Sequence, residues 1–275
     1  MNRLKLKEQL QTFFLEDIGE GDLTSQLLFD KNEKGEGIFT AKAEGVLSGL
    51  DVITEAYHLL DPTINVHFLV NDGDQVKKGT DIATVEGPVQ PILTGERVIL
   101  NLLQRMSGIA TLTAQAVRLL DSQHTRLCDT RKTTPGLRML EKYAVTCGGG
   151  YNHRMGLYDG IMIKDNHIAK MGSITAAVNR LKTTLGHMVK IEVETESAEQ
   201  VKEAVEAGAD IIMFDNRTPD EIRDYVPLVP SHITTEASGE ITLERLPEYG
   251  KTGVDYISLG FLTHSAQALD ISLNL

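Results

Sequence analysis

Between Asp129 and His167 the chain reads DTRKTTPGLRMLEKYAVTCGGGYNHRMGLYDGIMIKDNH, and its chemically versatile side chains are mostly cationic: Arg131, Lys132, His153, Arg154 and Lys164. From Arg126 to Lys170 eight Lys/Arg stand against four Asp/Glu, whereas the 275-residue chain carries a net charge of −12. A cationic island in an anionic protein is the footprint of a site for a small polyanion. Guanidinium forks match carboxylates and phosphates in bidentate geometry, and lysine acts as a movable point charge. Several such groups together suit a ligand with more than one carboxylate. Two acids further on, Glu194 and Asp215, suit Mg²⁺, which prefers oxygen ligands. Ser238-Gly239 and Gly260 suit a phosphate held by backbone N–H groups.

These residues recur at one place in a repeating pattern. From Arg126 onward, strand-like apolar runs fall at Arg126–Cys128, Gly160–Ile163, Val189–Val193, Asp210–Phe214, His232–Thr235 and Tyr256–Leu259. Helical stretches separate them. Ser197 to Gln200 and Thr218 to Glu221 read as capping boxes, the second with Pro219 at its first helical position, and Ser173 caps another helix. Strand–helix repeats of this spacing imply a parallel sheet with right-handed crossovers. An open sheet gathers ligands at one switch point, whereas a barrel uses its whole C-terminal rim. Six consecutive strands that end in polar or small residues therefore predict a barrel of about six or seven strands.

The first 107 residues follow another pattern. Short alternating strands at Gly37–Ala43, Val66–Leu69 and Asp81–Glu86 are punctuated by glycines, with a crossing helix over Asp51–Leu60. A helix is expected from Thr94 to Ser107, with Arg97, Asn101 and Arg105 on one face. Gly108 is expected to end or kink it before Ala110–Leu120 resumes. The expected division is thus an α/β domain over 1–107 and a barrel over 108–266, with 267–275 able to rejoin the first domain.

Composition excludes several classes. A pI near 5.1 argues against nucleic acid as a general partner. No apolar run approaches the ~18 residues of a membrane span, and the N-terminus lacks a signal-peptide core. Cys128 and Cys147 stand in no metal-type spacing, so a reduced, cytoplasmic setting is expected. Single residues also have plain structural readings. Asp215 could cap a turn at Asn216, Glu194 could pair with Lys190 or Lys132, His167 could fix its loop, and Arg97 and Arg105 could be a solvated helix face. Those readings weaken together, because every strand end would need the same accident.

The strings EDIGEGDLTS (16–25), ERVILNLLQRMSGIAT (96–111), TRKTTPGLRMLEKYAV (130–145), GGGYNHRMGLYDGIMIKDNH (148–167), MFDN (213–216), EASG (236–239) and GVDYISLGFLTHS (253–265) carry a resemblance to the decarboxylating quinolinate phosphoribosyltransferases. It covers nearly the whole chain. It implies an α/β fold with an N-terminal α/β sandwich and a C-terminal open barrel of the type II phosphoribosyltransferase kind. It implies transfer of phosphoribosyl from phosphoribosyl pyrophosphate to quinolinate, with loss of CO₂ and with Mg²⁺ as cofactor, in NAD biosynthesis. It also implies a homodimer in which Arg97 reaches into the partner's site. Arg131, Lys132, His153, Arg154 and Lys164 would then bind quinolinate, with Lys132 and Lys164 nearest the reacting centre. Glu194 and Asp215 would hold Mg²⁺ and the ribose hydroxyls. Ser238, Gly239 and Gly260 would take the 5′-phosphate, with Asn216 and His264 nearby. One position departs from the pattern: Glu240 stands where the motif has a second glycine.

Three other readings compete. A Schiff-base barrel aldolase would use Lys132 or Lys164 as nucleophile, but the dense Arg/His set and the acidic pair argue against it. Gly73 to Gly87 resembles half of a lipoyl- or biotin-carrier domain without the carrier lysine. A same-fold relative associated with molybdenum transport lies nearest, and the combined TRKT, NHR and KDNH strings favour the quinolinate enzyme.

Overall fold

The computed structural model describes all 275 residues. They form two compact units: Met1–Ala114 with Thr134–Gly149 and Leu262–Leu275, and Gln115–Thr133 with Gly150–Phe261. The sequence reading divides the chain at 107/108 and lets 267–275 rejoin the first domain; the compact units group Thr134–Gly149 with the first unit as well.

The first unit begins with α1 (Arg3–Ile18), α2 (Leu23–Leu28), β1 (Lys34–Ala41), β2 (Gly45–Val46), α3 (Leu50–Leu60), β3 (Asn65–Phe68), β4 (Gln75–Val76), β5 (Asp81–Pro88) and α4 (Val89–Leu120). Asn2 starts α1 by accepting from the amides of Leu4 and Lys5, and Leu6, Leu10 and Phe14 form its buried stripe. Asp22 caps α2 in the same way. The four-stranded sheet runs β12–β1–β5–β3, all antiparallel, and the terminal strand β12 (Ile271–Asn274) pairs with β1 in the register Phe39↔Leu273. Gly37, Phe39 and Ala41 alternate onto the buried face of β1, as the period of two requires. Phe39 meets Tyr57 of α3 with ring centroids 6.4 Å apart.

Helix α4 departs from the sequence reading. It runs unbroken for 32 residues, starting at Val89 rather than Thr94, whose hydroxyl donates to Asp22 Oδ2. Gly108 does not end it. A Cβ at that position would collide with the Gln267 carbonyl, so the glycine admits a crossing backbone instead.

The second unit takes the last turns of α4 and then β6 (Arg126–Cys128). It continues with β7 (Ile161–Ile163), α6 (Asp165–Met171), α7 (Ile174–Lys182), β8 (Ile191–Thr195), α8 (Ala198–Ala207), β9 (Ile211–Asp215), α9 (Pro219–Tyr225), β10 (Thr234–Ser238), α10 (Leu246–Tyr249) and β11 (Tyr256–Ser258). α5 (Arg138–Cys147), between β6 and β7, belongs to the first unit, and α11 (Phe261–His264) leads back to it. The six parallel strands are ordered β6–β11–β10–β9–β8–β7. The first strand therefore neighbours the last, as in a barrel, and only β6 and β7 lack mutual pairing. On the free edge of β6, Tyr151 makes a single parallel bridge to Cys128. The barrel is open at one seam.

The strand faces are distinguished by their partners. Phe214 packs on Tyr225 of α9 with centroids 5.9 Å apart, so its face, with Val193, Ala237 and Ile257, meets the helices. The opposite face carries Glu192 and Glu194, Met213 and Asp215, Glu236 and Ser238, and Ser258. These point into the barrel, an interior far more polar than packing alone would select.

Candidate active site

The C-terminal ends of the strands bring eleven of the sequence-selected residues to one mouth. Arg131 and Lys132 follow β6. His153 and Arg154 follow the Tyr151 bridge. Lys164 follows β7, Glu194 lies on β8, and Asp215 and Asn216 end β9. Ser238 and Gly239 end β10, and Gly260 follows β11. Arg97 and His264 lie in the first unit. Arg97 is on α4, 61% exposed and 3.9 Å from Glu96, while His264 Nδ1 sits 2.7 Å from Ser265 Oγ.

Asp129 organises the seam. It is fully buried, and its carboxylate accepts from Asn152 Nδ2 at 2.7 Å and from the His153 amide at 2.8 Å. This pins the His153–Arg154 segment beside β6. Arg154 then donates through Nη1 to the Gly160 carbonyl at 2.8 Å, just before β7.

His153 faces inward. Its Nδ1 accepts from the Arg154 amide at 2.8 Å, so the ring proton resides on Nε2. Nε2 lies 3.1 Å from Glu192 Oε2 and 3.5 Å from Glu236 Oε2. Both acids are buried, and Glu236 Oε1 has no hydrogen-bond partner. Burial, and next to it the charge of Glu192, push the Glu236 carboxyl well above the usual carboxylate range, while His153 opposes the shift.

The sequence reading missed Glu192 and treated Glu236 only as a residue after a strand; β10 continues through Ser238 and carries Glu236 into the interior. A signal was available. Ile191-Glu-Val-Glu-Thr195 alternates acid with apolar, and in a parallel strand whose outer face meets helices that places both acids inside.

His153, Glu192 and Glu236 place their ligand-type atoms within 4.8 Å of one another. The Nε2 proton opposes a metal there, because ligation would need that nitrogen bare while Nδ1 is already accepting. Glu194 and Asp215 are better suited. They offer only oxygens, at the mouth and on adjacent strands. Burial raises the Glu194 carboxyl, Lys164 draws it back, and the charge of Asp215 raises it again, so a dication between the two acids would relieve real repulsion. Lys164 Nζ forms an ion pair with Glu194, a partner not considered above for that acid. Lys190 holds Asp210 instead, and His167 Nδ1 accepts the Lys164 amide and so fixes its loop.

The small residues form a tight turn opposite the cations. Asn216 adopts φ 54°, its amide donates to the Ser238 carbonyl at 2.8 Å, and its side chain fills the space a Cβ on Gly239 would need. Ser258 Oγ donates to Ser238 Oγ at 2.9 Å. Glu240 is exposed and has φ 48°, a left-handed conformation that favours glycine.

Comparison with known proteins agrees with this arrangement. Residues 22–107 match the quinolinate phosphoribosyl transferase N-terminal domain and residues 109–274 match the C-terminal domain. A Bacillus subtilis protein named as a probable nicotinate-nucleotide pyrophosphorylase (carboxylating) is 58% identical, over 100% of this chain and 95% of its own. The crystal structure of NadC from Streptococcus pyogenes superposes with a TM-score of 0.97 at 38% identity, covering 100% of this chain and 97% of that one. The nicotinate-nucleotide pyrophosphorylase from Francisella tularensis gives 0.94 at 37% identity, with coverage of 100% and 97%. The fold, the polar mouth and these matches together place the chain in the quinolinate phosphoribosyl transferase family.

Proposed function

We propose that the protein transfers the phosphoribosyl group of phosphoribosyl pyrophosphate to quinolinate, releasing pyrophosphate and CO₂ and forming nicotinate mononucleotide for NAD biosynthesis. The observation that carries this reading is the order of groups around the mouth. Cations lie on β6, the seam and β7, acids on β8 and β9, and small residues on β10 and β11. A dicarboxylate, a metal-bound ribose pyrophosphate and a 5′-phosphate need these three environments side by side.

In this reading Arg131, Lys132, Arg154 and Lys164 hold the two quinolinate carboxylates. His153 acts through its neighbours, its ring being engaged with Glu192 and Glu236. Glu194 and Asp215 hold Mg²⁺ and the ribose hydroxyls. When bound, the ion neutralises charge on the departing pyrophosphate. The same two carboxylates lie where positive charge grows on the ribose as its bond to pyrophosphate breaks. The backbone amides of the Ser238–Gly239 turn and of Gly260 receive the 5′-phosphate, with Asn216 bracing the turn. Once the pyridine nitrogen is ribosylated the ring is cationic; loss of CO₂ leaves its electron pair on the adjacent ring carbon as an ylide, which the ring charge stabilises and which takes a proton from solvent to give nicotinate mononucleotide. Lys132 and Lys164 are the residues placed to orient that step.

The protein acts as a homodimer or higher homo-oligomer, with Arg97 donated across the subunit interface. The exposure of Arg97 supports its availability to a partner. Cytoplasmic residence is in keeping with a chain whose two cysteines, Cys128 and Cys147, stand in no metal-type spacing. No helix is long and apolar enough to cross a membrane. Lys164 is committed to Glu194, which disfavours its use as a Schiff-base nucleophile. The direct test incubates purified protein with quinolinate, phosphoribosyl pyrophosphate and Mg²⁺ and measures CO₂ and nicotinate mononucleotide. Production of neither would overturn the proposal.

A further inference from the structure

Arg105 lies on the same face of α4 as Arg97, where a solvated cation is the ordinary expectation, yet it is not solvated in that way. Its Nε and Nη2 both donate to Glu141 Oε1, at 2.8 and 2.5 Å. Nη2 also reaches Thr134 Oγ1 at 2.8 Å and the Thr263 carbonyl at 3.1 Å. The second oxygen of Glu141 accepts the Thr134 amide at 3.0 Å. Glu141 is 1% exposed. One ion pair, with its carboxylate buried and its guanidinium 31% exposed, therefore ties two separate stretches of chain to α4. A second tie comes from α1, where Gln9 Nε2 donates to the Gly136 carbonyl.

The placement of these ties in the chain is what gives them meaning. Thr134 follows Lys132 by two residues and Arg131 by three. Thr263 precedes His264 directly and follows Gly260 by three. A pair of well-packed apolar residues would stabilise such a place as well as a buried salt bridge, because desolvation consumes much of the Coulomb gain. An apolar pair could not address a hydroxyl, an amide and a carbonyl on two segments at once. A planar guanidinium fork facing a carboxylate can.

We propose that Arg105, through its ion pair with Glu141, is a positioning residue for the transfer reaction, holding the far end of the Arg131–Lys132 loop and the start of the Thr263–His264 segment in register. The proposal rests on the phosphoribosyl transfer reading above. Arg105 itself does not touch substrate, so its effect is on the geometry of residues that do. Misplacement by a fraction of an ångström at such residues is costly to turnover.

The test uses Arg105→Lys and Thr134→Val in the full-length protein. Lysine keeps a cation against Glu141 but loses the paired Nε and Nη2 donation to Oε1 that fixes the direction in which Nη2 faces Thr134 and Thr263. Thr134→Val removes a single acceptor and keeps the shape. Arg105→Lys is expected to lower kcat at least tenfold and Thr134→Val about threefold, each with melting temperature and circular dichroism near wild type. Amide hydrogen exchange should quicken across 130–137 and 261–264 in Arg105→Lys and remain unchanged elsewhere. Wild-type kcat and KM for both substrates in a folded Arg105→Lys would overturn the proposal, as would an activity loss that only tracks the folded fraction. Should Arg105→Lys not fold, an unaltered kcat in Thr134→Val overturns it. If wild-type protein makes no product, the activity reading has failed separately, and unchanged exchange in those two segments still refutes the positioning role.

Discussion

Glu236→Gln should make the protein more stable at alkaline pH. In the native state Glu236 is 4% exposed and its Oε1 is unpartnered; a hydrogen bond from Ser258 and a 3.5 Å approach from His153 Nε2, which donates more closely to Glu192, offset its burial only in part. A carboxylate so placed carries desolvation that nothing fully offsets, so its native pKa lies above the unfolded value. The native state then holds a proton that the unfolded chain has already released. Stability is fully present below the unfolded pKa and is lost as pH rises through the native one. Each pKa unit of difference corresponds to about 1.4 kcal/mol. Allowing for the opposing pull of His153, the wild-type protein should forfeit on the order of 2 kcal/mol by pH 9. Glutamine stays neutral and can donate its amide to Glu192, so it forfeits none of this. Thermal or urea melts of both proteins at pH 5, 7 and 9 should show a small difference at pH 5 that grows to a few degrees by pH 9. A difference independent of pH, or a variant less stable than wild type at pH 9, would refute the reasoning and mean that the ionised carboxylate is held by contacts stronger than those described.

Other expectations concern the mouth. Lys164→Met keeps the side-chain stem but leaves Glu194 without its cation, and kcat/KM should fall on the order of a hundredfold or more with the fold intact; near-normal turnover in steady-state assays would exclude Lys164 from the site. Glu240→Gly relieves a left-handed backbone at φ 48° that costs a non-glycine residue about 1–2 kcal/mol, partly offset by the greater freedom of glycine when unfolded. The variant should be no less stable, and its KM for phosphoribosyl pyrophosphate should drop, whereas a raised KM would show that the phosphate site uses the carboxylate. Arg97→Ala and Lys132→Ala should each be nearly inactive alone. Refolding them together should restore up to about a quarter of wild-type activity, the fraction of intact shared sites expected from random pairing in a dimer; no recovery would place Arg97 in its own subunit's site or outside any site.

Much of the barrel was legible because its signals are local. The capping box of Thr218 with Glu221 forms as expected, with Pro219 at the first helical position, and Ser173 caps α7. In the other expected box Ser197 accepts the Gln200 amide, but the Gln200 side chain reaches the Glu196 amide instead of the cap. Helix α4 was misread for an equally physical reason. A glycine suggests a break when only the backbone is considered, and Gly108 is instead required by a segment arriving from 159 residues away, the Gln267 carbonyl. Gly148 has a similar role against the Ala110 carbonyl of α4, besides closing α5.

The sequence alone determined the alternation of strands and helices, the gathering of polar residues at the strand ends, and the sign of charge offered to a ligand. Those follow from residue period, capping chemistry and composition, all properties of short stretches. Tertiary structure alone decided that the six strands close around all but one seam. It decided that His153 turns inward onto Glu192 and Glu236, that Lys164 takes Glu194 as its partner, and that Arg105 serves two distant segments rather than solvent. Each of these depends on which atoms the crossovers bring within about 3 Å. At that range burial removes the competing water, so the partner found determines what a charged side chain can do.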